Sequence, residues 1–438
     1  MKKKLHIIAS ALTLMVLVLT ACAPTVTQTP TEAVIATEAP TKAPTKAPTE
    51  TSPAPVTITF WHIYSEAEMN MLEQTLIPQF ETQYPNVTVQ DVQVPYNDFR
   101  RKLLTAIAGG TAPDLIRSDI IWVPEFADMG ALAKLDEVMS DFSQYSSAVF
   151  EGPLSTNYYN GHYYGLPLDT NNRVLISNTA MFTAAGVEAP PTTIDEFLAA
   201  CKKIHALGEG KYCFGDGGTY AWAVNPWIWS FGGDVTDPNY TVATGYVNGS
   251  KTKAAYEFLK MLLDQGYMDP CILGGGCDIW GGFGNDNIAM ILEGPWFPTI
   301  FGTDKEYSLT LMPAGLGGPV SVIGGEDIVL FQQSQHKAEA ANFIRFMLSE
   351  DSQVAMASIG QMPVLKSLAE TGSPIDLDFY GIFLEQAKTA KARTPVPNFT
   401  KIEVVYQDAG AAYLRGEQTF EAAFDPAATE IDGLLVVP

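Results

Sequence analysis

From Val56 onward, stretches with a period of two alternate with stretches of helical period, and this alternation constrains the fold more than any other feature of the chain. Val56, Ile58 and Phe60 alternate with Thr57 and Thr59, as in a strand with one buried face. Helical spacing follows from about Glu66 to Tyr84. Val87, Val89, Val92 and Val94 mark a second strand, and 97–108 a helix stopped by Gly109-Gly110. Thr193-Ile194-Asp195-Glu196, after Pro190-Pro191, is a capping box that opens an amphipathic helix to about Leu207. Residues 251–265 and 337–349 also have helical period, while 287–292, 307–312 and 327–331 read as strands. Trp222, Trp227 and Trp229 read as part of an apolar loop before Phe231-Gly232-Gly233-Asp234. The pattern predicts an α/β protein with mostly parallel sheets, whose ligands bind beyond the carboxyl ends of the strands.

The N-terminus predicts the compartment. Lys2, Lys3 and Lys4 precede an apolar run from Leu5 to Leu19, too short to span a bilayer comfortably but suited to a signal peptide over 1–21. Leu19-Thr20-Ala21-Cys22 then matches the bacterial lipobox, in which the cysteine thiol receives the lipid. The expectation is an extracytoplasmic lipoprotein anchored through Cys22 to the bacterial membrane, acyl chains supplying the two insertion signals that stable anchoring needs. Residues 22–55, rich in Pro and Thr with Thr-Lys-Ala-Pro at 41–44 and again at 45–48, cannot bury apolar surface and predict a disordered tether. The remainder exceeds what one core serves, so two lobes are expected.

A net charge of −23 argues against nucleic acid and anionic membrane surfaces as partners. Beyond Cys22 the chain has Cys201, Cys213, Cys271 and Cys277, an even number in an oxidising compartment. Three pairings are open, and the local one, Cys201–Cys213 with Cys271–Cys277, is the expectation. No cysteine or histidine pair has tight metal-ligand spacing, so no metal and no cofactor is expected.

No Gly-x-Ser-x-Gly elbow, His-Glu-x-x-His, Walker loop or Cys-x-x-Cys is present in the sequence. What stands out instead is aromatic, amide and acidic residues at predicted strand ends and in loops. Trp61-His62-Ile63-Tyr64 closes the first strand, and Ser118-Asp119 and Trp122 follow the strand around Leu115. Asp169, Asn171, Asn172 and Arg173 crowd one turn after Gly165-Leu166-Pro167, and Glu293-Gly294-Pro295-Trp296 follows 287–292. Sugars offer CH faces to rings and hydroxyls to amides and carboxylates, so the mixture suits them. Taken singly, most of these tryptophans read better as core residues, and Asp169 or Glu293 as a cap or bridge. Their joint placement carries the functional reading.

At these residues the sequence resembles the family 1 extracellular solute-binding proteins, the group of the maltose-binding protein, over essentially all of 56–438. Ile58-Thr59-Phe60-Trp61 is similar to that family's first strand and ligand loop, and Ala108-Gly109-Gly110-Thr111-Ala112-Pro113-Asp114-Leu115 to its gly-x-x-pro-asp signature. Tyr164-Gly165-Leu166-Pro167 leading to Ile176-Ser177-Asn178 resembles the first crossing between lobes. Ala289-Met290-Ile291-Leu292-Glu293-Gly294-Pro295-Trp296, Gly324-Gly325 and Gly360-Gln361-Met362-Pro363 complete the order. The resemblance implies a two-lobed periplasmic-binding-protein clamshell, with 56–168 and 314–384 in lobe 1 and 169–313 and 385–438 in lobe 2. By position it implies a pocket drawn from Trp61, Tyr64, Ser118, Asp119, Trp122, Asn171, Arg173, Trp227, Glu293, Trp296, Gly325 and Glu326, to which the residue reading adds Asp169. The Cys271–Cys277 segment and the polar turn 169–173 depart from the maltodextrin type.

The resulting expectation is a non-enzymatic, monomeric binder of a mono- or oligosaccharide that hands it to the transmembrane permease of an ABC importer. The rivals are a secreted polysaccharide-degrading enzyme and a binder of a non-sugar solute such as a polyamine.

Overall fold

The computed structural model describes residues 54–274, 276–298, 305–370 and 374–435. The signal peptide 1–21, Cys22 and all but the end of the tether 22–55 lie outside the described residues. Among the described residues no helix is long and apolar enough to cross a membrane.

Two principal sheets organise the rest. In the first, the strands run in the order Val87–Gln93, Val56–His62, Leu115–Asp119, Glu326–Leu330, Gly165–Pro167. Period two does its ordinary work here. Ile58, Phe60, Leu115, Ile328 and Leu330 point into one apolar cluster, and Ile116 and Val329 into another on the opposite face. In the second sheet the order is Tyr307–Thr310, Val174–Asn178, Ile288–Glu293, Tyr212–Gly215. Leu175 faces one cluster there, and Val174 and Ile176 the other. Each sheet therefore has helices on both faces, and the molecule is α/β in two lobes.

The sheets are mixed rather than mostly parallel. The first three strands of the first sheet are parallel, but Glu326–Leu330 runs antiparallel to both its neighbours. In the second sheet only Ile288–Glu293 and Tyr212–Gly215 are parallel. The reason is connectivity: a chain that leaves one lobe and later returns enters the sheet from the opposite end. Short strands at Asn171–Asn172, Val322–Gly324 and Lys391–Ala392 pair between the two main sheets. The segment around 315–317, expected with lobe 1, bonds instead to Ser230 beside the second sheet. The helix Leu377–Ala387, also expected there over most of its length, packs on the strands at 171–178.

Local signals held where they were strong. Thr193 accepts from the Glu196 amide at 3.2 Å, the Glu196 carboxylate accepts from the Thr193 amide, and the helix spans Ile194–His205. Tyr96–Ala108, Ser250–Asp264 and Lys337–Met347 are helices as expected. The stretch expected to be one helix over 66–84 is helical throughout, with a π turn at Leu72–Leu76. The structure holds both local disulfides, Cys201–Cys213 with Cα atoms 4.9 Å apart and Cys271–Cys277 at 5.7 Å.

Residues 221–230 are a correction. The expected apolar loop is a helix, Ala221–Ser230, with Pro226 inside it and all but Trp222 buried. Apolar residues on every side hide the helical period, and proline argues against a helix. Proline cannot donate to the carbonyl four residues back, so Trp222 O is left over, and the Arg173 guanidinium donates to it at 2.9 Å. A side chain distant in sequence makes the proline tolerable.

Candidate ligand-binding site

A cavity of about 600 Å³ opens in the seam between the two sheets. One wall comes from the first lobe. Asp119 ends the strand Leu115–Asp119, and Tyr96 and Asn97 open the helix that follows Pro95. The floor is linking backbone, with Asn171, Gly324, Gly325 and Glu326. Gly325 has φ +126°, and a side chain there would meet the Asp169 carbonyl at 2.6 Å, so only glycine lets the linking strands approach this closely. The facing wall comes from the second lobe. Tyr220 and Trp222 lie at the start of the helix Ala221–Ser230, Trp296 follows the Gly-Pro turn, and Arg393, Glu403 and Gln407 complete it. Glu403 and Gln407 stand four apart on the helix Phe399–Leu414 and so share its face.

Aromatic and charged groups alternate around this space. The Trp222 and Trp296 rings are stacked with centroids 6.2 Å apart. The Arg393 guanidinium lies 5.7 Å from the Trp222 ring and donates to Asp119 across the seam at 3.1 Å. Its Nε–H has no partner among the described residues. Asp119 also accepts from the Tyr96 hydroxyl at 2.8 Å. Burial tends to lower the Arg393 pKa, but Asp119 together with Tyr96, Glu403 and Tyr406 outweighs it and keeps the guanidinium cationic. Burial pushes the Glu403 carboxyl up, against the pull of Arg393. The cavity thus offers ring faces, carboxylate acceptors and a buried donor, the groups that hold a polyhydroxylated molecule.

Immediately beneath lies a charge cluster. The Arg117 guanidinium meets Asp169 and Glu326 at 2.8 Å each and Glu68 at 3.8 Å, and its Cζ lies 4.4 Å from the Tyr64 ring centroid. Burial pushes the Glu326 carboxyl well above the usual range, with Arg117 opposing and Asp169 reinforcing the shift. Arg173 pairs with Asp216 at 2.9 Å and donates to the Leu292 and Trp222 carbonyls. Glu293, whose carboxyl burial also raises, accepts from Trp280 at 2.7 Å.

Of the residues expected from sequence, Asp119, Asn171, Trp296, Gly325 and Glu326 line the cavity. Asp169 and Arg173 stand behind it in the ion pairs just described, and Glu293 behind it in its hydrogen bond from Trp280. The remaining five are placed elsewhere. Trp61 packs in the cluster beneath the first sheet, and Tyr64 is in the core against Phe60 and His62. Ser118 is fully buried, its hydroxyl donating to the Asp119 carbonyl. Trp122 is sandwiched between Tyr96 and Phe99, with centroids at 5.3 and 5.7 Å. Trp227 is packed among Phe197, Phe214 and Phe258. Tyr96, Asn97, Tyr220, Trp222, Gly324, Arg393, Glu403 and Gln407 were not in the expected set. Polar residues four apart on one face of the Phe399–Leu414 helix could have marked Glu403 and Gln407, and the end of the Val87–Val94 strand running into a helix could have marked Tyr96 and Asn97. Nothing local marks Arg393.

Known proteins share this two-lobed fold. The chain is similar to the GacH receptor of Streptomyces glaucescens, solved unliganded and with acarbose, at 25% identity over 87% of this chain and 99% of that one, with a TM-score of 0.77. It is similar at 26% identity, over 87% of this chain and 100% of the other, to an ABC transporter solute-binding protein of Thermotoga lettingae bound with α-D-tagatose, also with a TM-score of 0.77. An uncharacterized lipoprotein of Streptomyces antibioticus is 25% identical over 69% of each chain. The model for bacterial extracellular solute-binding proteins matches residues 66–354, from the first helix past the returning strand, and so takes in both walls of the seam apart from Arg393, Glu403 and Gln407. Two α/β lobes are the form this chain shares with these solved structures, and by the family match it belongs to the bacterial extracellular solute-binding proteins.

Proposed function

We propose that the protein captures a carbohydrate, in particular an oligosaccharide, in the cavity between its lobes and delivers it intact to the permease of an ABC importer. The observation that carries this reading is the lining itself: a Trp222–Trp296 pair beside Arg393 and Glu403, with Asp119 on the facing wall, around about 600 Å³. Rings stack on sugar CH faces, and the charged groups satisfy hydroxyls once water is excluded. Such a volume lies within the range of small-molecule sites. Known sugar-bound relatives of the same fold support the substrate class.

In this reading Cys22 carries the lipid, residues 22–55 are the tether, and the folded part works as a monomer. The junctions between lobes in this reading include 168–174 and 322–326, whose backbone lies between strands of the two main sheets. The ligand favours the closed arrangement because only there do Asp119 and Tyr96 face Trp222 and Trp296 across it. No residue acts as a nucleophile, and the sugar is released uncleaved.

The test is thermal unfolding of residues 56–438 against a panel of mono- and oligosaccharides, with spermidine as the cationic control. A binding sugar raises the melting temperature by mass action and is recovered unchanged by chromatography. Cleavage products would favour a polysaccharide-degrading enzyme. A shift with spermidine alone would favour the polyamine reading.

A further inference from the structure

All but one of the chain's tryptophans are buried or half-buried; Trp280 is the exception, 45% exposed. Its indole is nonetheless held. Trp280 Nε1 donates to the Glu293 carboxylate at 2.7 Å, and the other oxygen of Glu293 accepts from the Gly294 amide at 2.9 Å. Gly294 in turn lies under the Trp296 ring, since any Cβ there would run into it. Trp296 stacks with Trp222 on the cavity wall. Trp280 and Trp296 therefore flank a single dipeptide, Glu293-Gly294, which connects the exposed indole to a ring of the cavity wall.

The base of Trp280 is pinned as well. Its short helix Ile279–Gly284 starts at Asp278, whose side chain accepts from the Gly281 amide at 2.8 Å, and Phe283 anchors the other end in the core. The preceding residue, Cys277, is clipped to Cys271, and Asp269 caps the Cys271 amide at 2.9 Å. An exposed indole is costly in water, and fixing it with a buried carboxylate and a disulfide-bridged turn forgoes the mobility that would otherwise compensate. Such a rigid, exposed ring beside an aromatic pocket has the properties of a binding platform.

We propose that Trp280 is an outer stacking platform for a further ring of the oligosaccharide, outside the cavity that holds the inner rings, and that the Cys271–Cys277 clip keeps it in place. The proposal rests on the carbohydrate reading above. It makes the preferred ligand longer than the cavity alone accommodates.

The experiment is titration calorimetry of the wild type, Trp280→Ala, Trp280→Phe and the Cys271→Ser/Cys277→Ser pair with malto-, cello-, xylo- and manno-oligosaccharides, from disaccharide to hexasaccharide. In the series that binds, wild-type affinity rises with length, and Trp280→Ala loses about tenfold of that gain in the longer members. Trp280→Phe keeps a ring face without the Glu293 bond and retains part of the gain. The cysteine pair variant loses less than the alanine. Unchanged melting temperatures show that the variants fold. The platform is overturned if Trp280→Ala follows the wild type at every length, if it weakens disaccharide and hexasaccharide by the same factor, or if wild-type affinity is flat with length. Binding of no member by the wild type would instead bring down the carbohydrate reading, and the platform with it.

Discussion

Arg117 and Arg173 are both buried at the seam between the lobes, yet their surroundings differ in kind. Arg117 faces three carboxylates, from Glu68, Asp169 and Glu326. Arg173 faces one, from Asp216, and spends its other donors on the Leu292 and Trp222 carbonyls. The first cluster carries more acid than it can neutralise, which is why burial and Asp169 push the Glu326 carboxyl up while Arg117 pulls it down. The second is balanced, and its partners are largely backbone. One arginine is therefore set among excess acid beneath the cavity, and the other is a strut that ties a strand to the proline-containing helix.

The sharpest way to break the comparison is to delete each guanidinium. Arg117→Leu and Arg173→Leu should each cost about 3–5 kcal/mol at neutral pH, the usual penalty for stranding a buried counter-charge. Acid should separate them. Acid relieves three stranded carboxylates in Arg117→Leu but only one, Asp216, in Arg173→Leu, whose other orphaned partners are carbonyls that take up no proton, so Arg117→Leu should recover more. Urea unfolding at pH 7 and pH 5 measures the difference, and equal recovery by both variants would erase the distinction.

A smaller effect follows from what Arg173 supports. Its Cζ stands 5.9 Å from the Trp222 ring, which stacks with Trp296. Trp296→Ala should weaken sugar binding by ~1–3 kcal/mol through lost stacking and burial, with little change in stability. An unchanged dissociation constant would remove Trp296 from the site.

The smallest effect sharpens the other side. A carboxyl whose folded-state pKa is raised binds its proton more tightly in the folded protein. Its contribution is therefore greatest below the ordinary carboxylate range and falls as pH rises from there through the raised value of Glu326. Glu326→Gln should make stability fall less steeply over that window, by at most one proton, or ~1.4 kcal/mol per pH unit. Melting temperature against pH reads it directly, and an unaltered slope would place the held proton elsewhere.

How much of this was legible beforehand depended on the range of the interaction. The strand at Val56–His62 and the Thr193 cap rest on neighbours within a few residues, so period and motif sufficed to find them. Trp227 and Trp222, five apart in one apolar run, could not be told apart, because core and cavity are on different sides of a helix whose period the sequence hides. Trp122 stood beside Asp119 in sequence but is capped by Tyr96 and Phe99, which no local pattern relates to it.

By itself, then, the sequence determined the alternation of strands and helices, the two-lobed α/β class and the acidic and aromatic character of the cleft, because each depends on composition, length or short spacing, while the pairing of the four cysteines stayed open until the fold closed it. Tertiary structure alone decided the antiparallel return of Glu326–Leu330 and the pairing of Arg393 with Asp119 across 274 residues. It also decided which tryptophans face the cavity. Those outcomes depend on which distant surfaces the packed lobes bring together, and the energy of a buried ion pair or a stacked ring exists only once the fold has excluded water from around it.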